Sequence, residues 1–300
     1  MTFKETVIKH ARIKIPALLK TAVGLSVFIF AEYVVLTAFY YFGIDRKIYK
    51  GTYNIIVCVL TIIAMFIFHK ISSKKNDPLI KIGKLTPAQV GSLVIIGMGM
   101  LGFVTVYIII ADKISAYLES LKEVMEEYRD NVNRFSDTPQ VAVPFWDSIL
   151  YVISLCFVVP VAEEMAFRGV FFGSLRKGFG PWTSVVLSAC IFGIMHGLSV
   201  HVGYALVCGL VIASCYHLTN TLVAPVLLHM IFNILGSGIA NLLQLEQFGF
   251  PKEKLSYLMS DINVVSILMM PVSVFAFVYL VSFNRKKSAQ KAIDESGAAV

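Results

Sequence analysis

Hydrophobic positions along this chain do not alternate with polar ones. They fuse into long runs separated by short charged gaps. Eight runs read as helices, at roughly 17–43, 52–69, 90–111, 145–175, 181–199, 201–218, 221–242 and 263–283. Each reaches or approaches the roughly 20 residues that cross the hydrocarbon of a bilayer. The boundary near 200 is the least defined, because HGLSVHVG offers only a short turn. One segment follows another pattern. Ile114, Tyr117, Leu118, Leu121, Met125, Tyr128, Val132 and Phe135 recur at helical spacing with charges between them. That predicts an amphipathic extracytoplasmic helix over 112–137. Such a helix lies on the interface or packs on the bundle; a substrate lid or partner surface is the sharper reading. The tail after 287 is expected to be disordered.

Composition points the same way. The 300 residues are 57% hydrophobic and 15% charged, with a mean hydropathy of +0.75. That is too apolar for an ordinary soluble domain and fits an all-α, polytopic integral membrane helical bundle of about eight transmembrane helices. Basic residues precede the first run, which is too long for the core of a cleavable signal and is expected to remain as a span. The net charge of +7 is read as topological, not as a nucleic-acid footprint, since no basic stripe is interleaved with polar loops. The N-terminus, the 70–89 loop, the Arg176–Lys177 turn and the tail are basic and fall on one side of an eight-span chain. Residues 112–144, with seven acids and four bases, fall on the other. The small basic loop at Arg46, Lys47 and Lys50 is the exception. Positive-inside then places both termini in the cytoplasm. The five cysteines lie in apolar segments without a CxxC pair and read as small buried hydrophobes.

Charge within the apolar runs is the informative anomaly. Each ionised group at the centre of a span costs about 2.5–3.5 kcal/mol on insertion scales. Yet PVAEEMAFRGVFFGSL (160–175) carries Glu163, Glu164 and Arg168. Glu164 and Arg168 are four apart and share a helix face, while Glu163 points about 100° away. Glu163 precedes Arg176, which marks the cytoplasmic end, by about 20 Å of helix. His196 lies at similar depth, about 20 Å beyond Pro181. His229 and Asn233 lie about 12 and 18 Å beyond Thr221, stacked on one face. Helix–helix packing by polar side chains is the bland reading of such groups; an intramembrane site is the sharper one. Glu32 either pairs inside the bundle or lines a cavity.

Taken in order, EExxxR (Glu163 to Arg168), FxxxH (Phe192 to His196) and HxxxN (His229 to Asn233) resemble the CAAX protease and bacteriocin-processing family of intramembrane proteases, which includes type II CAAX prenyl endopeptidases and Abi-type members. The resemblance covers about 145–242 and divides the chain into three. Residues 1–144 hold three spans and the amphipathic helix, 145–242 the catalytic core, and 243–300 the last span and basic cytoplasmic tail.

The resemblance implies that Glu163 and His196 activate water, that Glu164 tied to Arg168 orients Glu163, and that His229 and Asn233 hold the oxyanion. A buried carboxylate and imidazole suit general-base chemistry, and two aimed donors suit an oxyanion. No cofactor is required on this reading. A zinc alternative, with Glu163, His196 and His229 as ligands around an open position, has the donor types of a catalytic zinc site. No Ser or Cys sits beside a base in the cluster, which disfavours a covalent nucleophile.

The expected partners are membrane lipid and a peptide or protein substrate, lipidated or not, and no nucleic acid. The chain reads as a multi-pass cell-membrane protein of prokaryotic style. Bacteriocin leaders, peptide pheromones or membrane-protein segments then come before prenylated termini as substrates. Two other classes compete: a proton-coupled transporter and a non-catalytic membrane immunity or scaffold protein.

Overall fold

A computed structural model describes residues 3–133, 143–197 and 200–297; the regular elements among them are helices, apart from one isolated bridge between Lys74 and Asp77. The helices are α1 (Phe3–Tyr41), α2 (Lys50–Ser72), α3 (Pro87–Ser115), α4 (Glu119–Asn133), α5 (Phe145–Leu175), α6 (Pro181–Met195), α7 (Val200–Thr219), α8 (Val223–Leu243) and α9 (Lys252–Gly297). Seven are long and apolar enough to cross a membrane, and α6 is a shorter apolar helix. The protein is an all-α polytopic membrane bundle.

Two predicted boundaries change for local reasons. The helix expected over 181–199 stops at Met195, because Gly197 takes φ +84°. The amide N–H groups of His196 and Gly197 turn back onto the Gly193 and Ile194 carbonyls, the stop that a left-handed glycine provides. At 1.5 Å per residue α6 is about 22 Å long, short of the roughly 30 Å hydrocarbon thickness. His196 therefore sits at a helix end within the bundle. The tail expected to be disordered after 287 continues α9 to Gly297. Ala, Gln, Lys and Glu dominate there and favour helix without needing apolar surface, and Gln290 donates to Asp294 one turn on, at 2.8 Å.

The amphipathic segment forms α4, with Met125 only 1% exposed and Tyr128 ring-packed on His201 of α7 at 5.1 Å. It packs on the bundle. Phe135 of its predicted stripe lies outside the described residues. Glu32, on α1, faces outward near Tyr53, whose ring carries the Arg46 guanidinium at 5.6 Å.

The core lies around the second half of α5. Phe167, Phe171, Phe172 and Arg168 are almost wholly buried, with Phe28 of α1, Phe192 of α6 and Tyr216 of α7 packed edge-on against this aromatic group. The start of α2 is fixed to α5 by Asp147. Its carboxylate, 1% exposed, accepts from the backbone N–H groups of Gly51 and Thr52 at 2.8 Å and from the Thr52 hydroxyl at 2.6 Å. Unsatisfied first-turn amides are thereby capped from a neighbouring helix.

Candidate active site

The site grows out of irregularities in α5 and α8. Within α5, residues Ser154–Val158 and Met165–Phe172 are π-helical, and in α8 so is Ile234–Gly238. Single π turns collect at functional positions and result from a residue that upsets the i→i−4 ladder. For Ser154–Val158 that residue is Pro160, which has no N–H and whose ring crowds the preceding turn. The Val159 N–H bonds back to the Ser154 carbonyl. The Leu155 carbonyl then lacks both helical donors, Val159 being engaged and Pro160 having none. Asn233 Nδ2 of α8 supplies the missing bond at 2.9 Å. The approach is close: a Cβ at Gly238 would collide with Cys156 Sγ.

One turn further along α5, Glu164 and Arg168 are both wholly buried and joined by a 2.9 Å ion pair. The guanidinium also donates to the Gly209 carbonyl of α7 at 3.2 Å and lies 4.3 Å from the centroid of the Phe192 ring. His229 Nδ1 approaches the same Glu164 Oε1 at 2.8 Å. With Glu164 ionised, Nδ1 carries the hydrogen, and Nε2 is left to face the site. Glu163 Oε2 lies 4.0 Å from that Nε2, and its side chain keeps 23% of its surface. Of the two adjacent carboxylates, one is locked in the protein and the other is open.

His196 points its Nδ1 at the Phe192 carbonyl, 2.8 Å away. A carbonyl can only accept, so in the neutral ring Nε2 is the basic nitrogen. Its ring stacks 4.3 Å from that of Phe192, which also meets His229 edge-on at 6.3 Å. Phe192 thus touches Arg168, His196 and His229 and spaces them around one ring. Sequence reasoning quoted Phe192 only as a motif letter and overlooked Pro160 and the Leu155 carbonyl. Proline inside an apolar run was the available signal for the last.

The structure therefore brings Glu163, Glu164, Arg168 and His229 together, ties Asn233 to the same helix pair, and sets His196 across the Phe192 ring. A zinc centre would need Glu163, His196 and His229 to share an ion. Among the described residues no three His, Cys, Asp or Glu side chains are close enough to do so. As arranged, this donor set does not make a three-ligand centre.

Comparison with known proteins bears on the same segment. Residues 145–235 match the family described as type II CAAX prenyl endopeptidase Rce1-like. That match covers under a third of the chain, the segment that carries all three motifs. The chain is also similar to the Bacillus subtilis (strain 168) protein named "Putative membrane peptidase YdiL", 26% identical over 121 residues that cover 40% of this chain and 50% of that protein. The aligned region thus spans about half the length of that relative. No solved structure matches the chain. The matched segment contains all six residues of the polar constellation.

Proposed function

We propose that the protein is an intramembrane endopeptidase that hydrolyses a peptide bond with water activated by Glu163. The observation that carries this reading is the division of labour between neighbouring carboxylates. Glu164 is neutralised by Arg168 and bonded by His229, whereas Glu163 is the partly open carboxylate at 4.0 Å from His229. An anchored carboxylate beside an available one is the arrangement that general-base catalysis needs.

Glu163 takes a proton from water as its oxygen adds to the scissile carbonyl. His196, with Nε2 as its basic nitrogen, assists from its place beside the Phe192 ring. The tetrahedral oxyanion is stabilised by the second N–H of Asn233 and by His229, which donates from Nε2 when protonated. Glu163 then returns its proton to the leaving amine. Glu164 and Arg168 are positioning residues: they hold the His229 ring and the α5 turn on which Glu163 stands.

Residues 145–242 form the catalytic core on this reading, with 1–144 and 243–300 as flanking membrane parts. Both termini face the cytoplasm, because the basic loops share one side. The substrate is a membrane-associated peptide or protein. The test is cleavage of a peptide library by detergent-purified protein, with a Glu163→Ala control. Cleavage by the unaltered chain alone supports the reading. Proton-coupled solute uptake by reconstituted protein that cleaves nothing would replace it with the transporter reading.

A further inference from the structure

Away from the catalytic cluster, a cavity of about 500 Å³ opens where the ends of α3, α7 and α9 meet the α5–α6 turn. Four cationic side chains line it, Lys81, Arg176, Lys177 and Lys287, together with His217 and a single carboxylate, Asp77. Asp77 is already shared, lying 3.8 Å from Arg176 and 3.2 Å from Lys177. One acid offset against four bases leaves the cavity strongly positive. The first turn of α6, which begins at the cavity wall with Pro181 and has no side-chain cap, adds partial charge of the same sign.

The position is as informative as the charge. These are the ends of spanning helices, so the cavity lies at the boundary between hydrocarbon and water. Trp182, 51% exposed, stands beside it with its ring edge-on to His217 at 5.2 Å. Exposed tryptophans next to span ends mark the headgroup level of a bilayer. A concave basic site between helices at that level suits a lipid phosphate. Arg176 is pre-set for such a ligand, because its Nη2 is held by the Pro78 carbonyl at 2.7 Å, which fixes the plane of a guanidinium whose fork matches phosphate geometry.

We infer that this cavity binds a phosphate group, presented by the headgroup of an anionic phospholipid or by a soluble phosphate. The site is separate from the Glu163 cluster and does not depend on the proposed activity. Occupancy would tie α3, α7 and α9 to the α5–α6 turn and so brace the end of the helix that carries Glu163.

The full chain in neutral detergent would be titrated with dioctanoyl phosphatidylglycerol, with dioctanoyl phosphatidylcholine and with inorganic phosphate, and bound ligand counted by native mass spectrometry. One phosphatidylglycerol should bind at least about tenfold tighter than phosphatidylcholine. Lys81→Ala with Lys287→Ala should weaken it about twenty-five-fold, at about fivefold for each basic residue lost near the headgroup. Lys75→Ala with Lys286→Ala removes the same charge from outside the lining and should change binding less than about twofold. Should Lys81→Ala impair folding, Lys287→Ala alone carries the test at about fivefold. Displacement of phosphatidylglycerol by millimolar phosphate identifies soluble phosphate as the ligand; resistance to it identifies the lipid headgroup. Equal binding of the two lipids, or equal losses in the two double variants, would overturn the site.

Discussion

Replacing Arg168 by methionine removes the cation from the buried pair while keeping most of the stem volume. Glu164, wholly buried, would then be left with the His229 Nδ1 contact as its remaining bond. Breaking a buried ion pair from one side typically costs about 3–5 kcal/mol, because the surviving charge is stranded. Loss of the guanidinium above Phe192 at 4.3 Å acts in the same direction, at up to about 2 kcal/mol for a desolvated cation–π contact. Relief of the guanidinium's own desolvation acts against both, so a net cost of about 3–5 kcal/mol stands. The double variant Glu164→Gln with Arg168→Met removes both charges and should fall about 2 kcal/mol or more below the sum of the two single costs. Unfolding in mixed micelles, followed by the fluorescence of Trp146 and Trp182, measures all three variants. A single-variant cost under about 1 kcal/mol, or strict additivity in the cycle, would refute the claim that this pair anchors the site.

Further outcomes follow from the same geometry. Asn233→Ala should slow turnover about 10²–10³-fold through loss of one oxyanion donor; it should also cost about 1–3 kcal/mol because the Leu155 carbonyl loses its bond, so turnover and unfolding are read on one sample. Asp147→Ala should destabilise the fold by about 1–3 kcal/mol by uncapping α2, with turnover at permissive temperature nearly unchanged. Extended EDTA treatment should leave activity intact with well under one metal ion per chain; stoichiometric zinc that tracks activity through depletion and repletion would make His196 and His229 ligands.

Much of the bundle was legible because hydropathy is a strong signal when it runs unbroken for 20 residues. The α6 boundary was missed because the same signal continued past Gly197, although a glycine there was a readable stop. The tail of α9 was missed for the opposite reason: hydropathy is silent about a polar helix held by propensity and one-turn pairs. Within the site, the Glu164–Arg168 contact follows from four-residue spacing. The Glu164–His229 contact joins residues 65 apart and depends on how α8 seats against α5. That seating rests on Pro160, Gly238 and a carbonyl, none of which carries charge or motif. The role of Asp147 was hidden likewise, since a cap supplied by another helix leaves no local pattern. Phe192 shows the limit from the other side: its position was quoted, but a ring that meets one arginine and two histidines is a property of the packed core alone.

In the proposed mechanism Glu163 delivers water to a peptide bond. Purified protein would be incubated with a peptide library in ¹⁸O-labelled water, beside Glu163→Gln and His196→Ala variants of matched folding, and new C-termini read by mass spectrometry. A Glu163-activated water should leave ¹⁸O in the new carboxyl groups with the unaltered chain and no products with Glu163→Gln, because the amide keeps the shape but cannot take the proton. Labelled products formed by Glu163→Gln at the unaltered rate would contradict it.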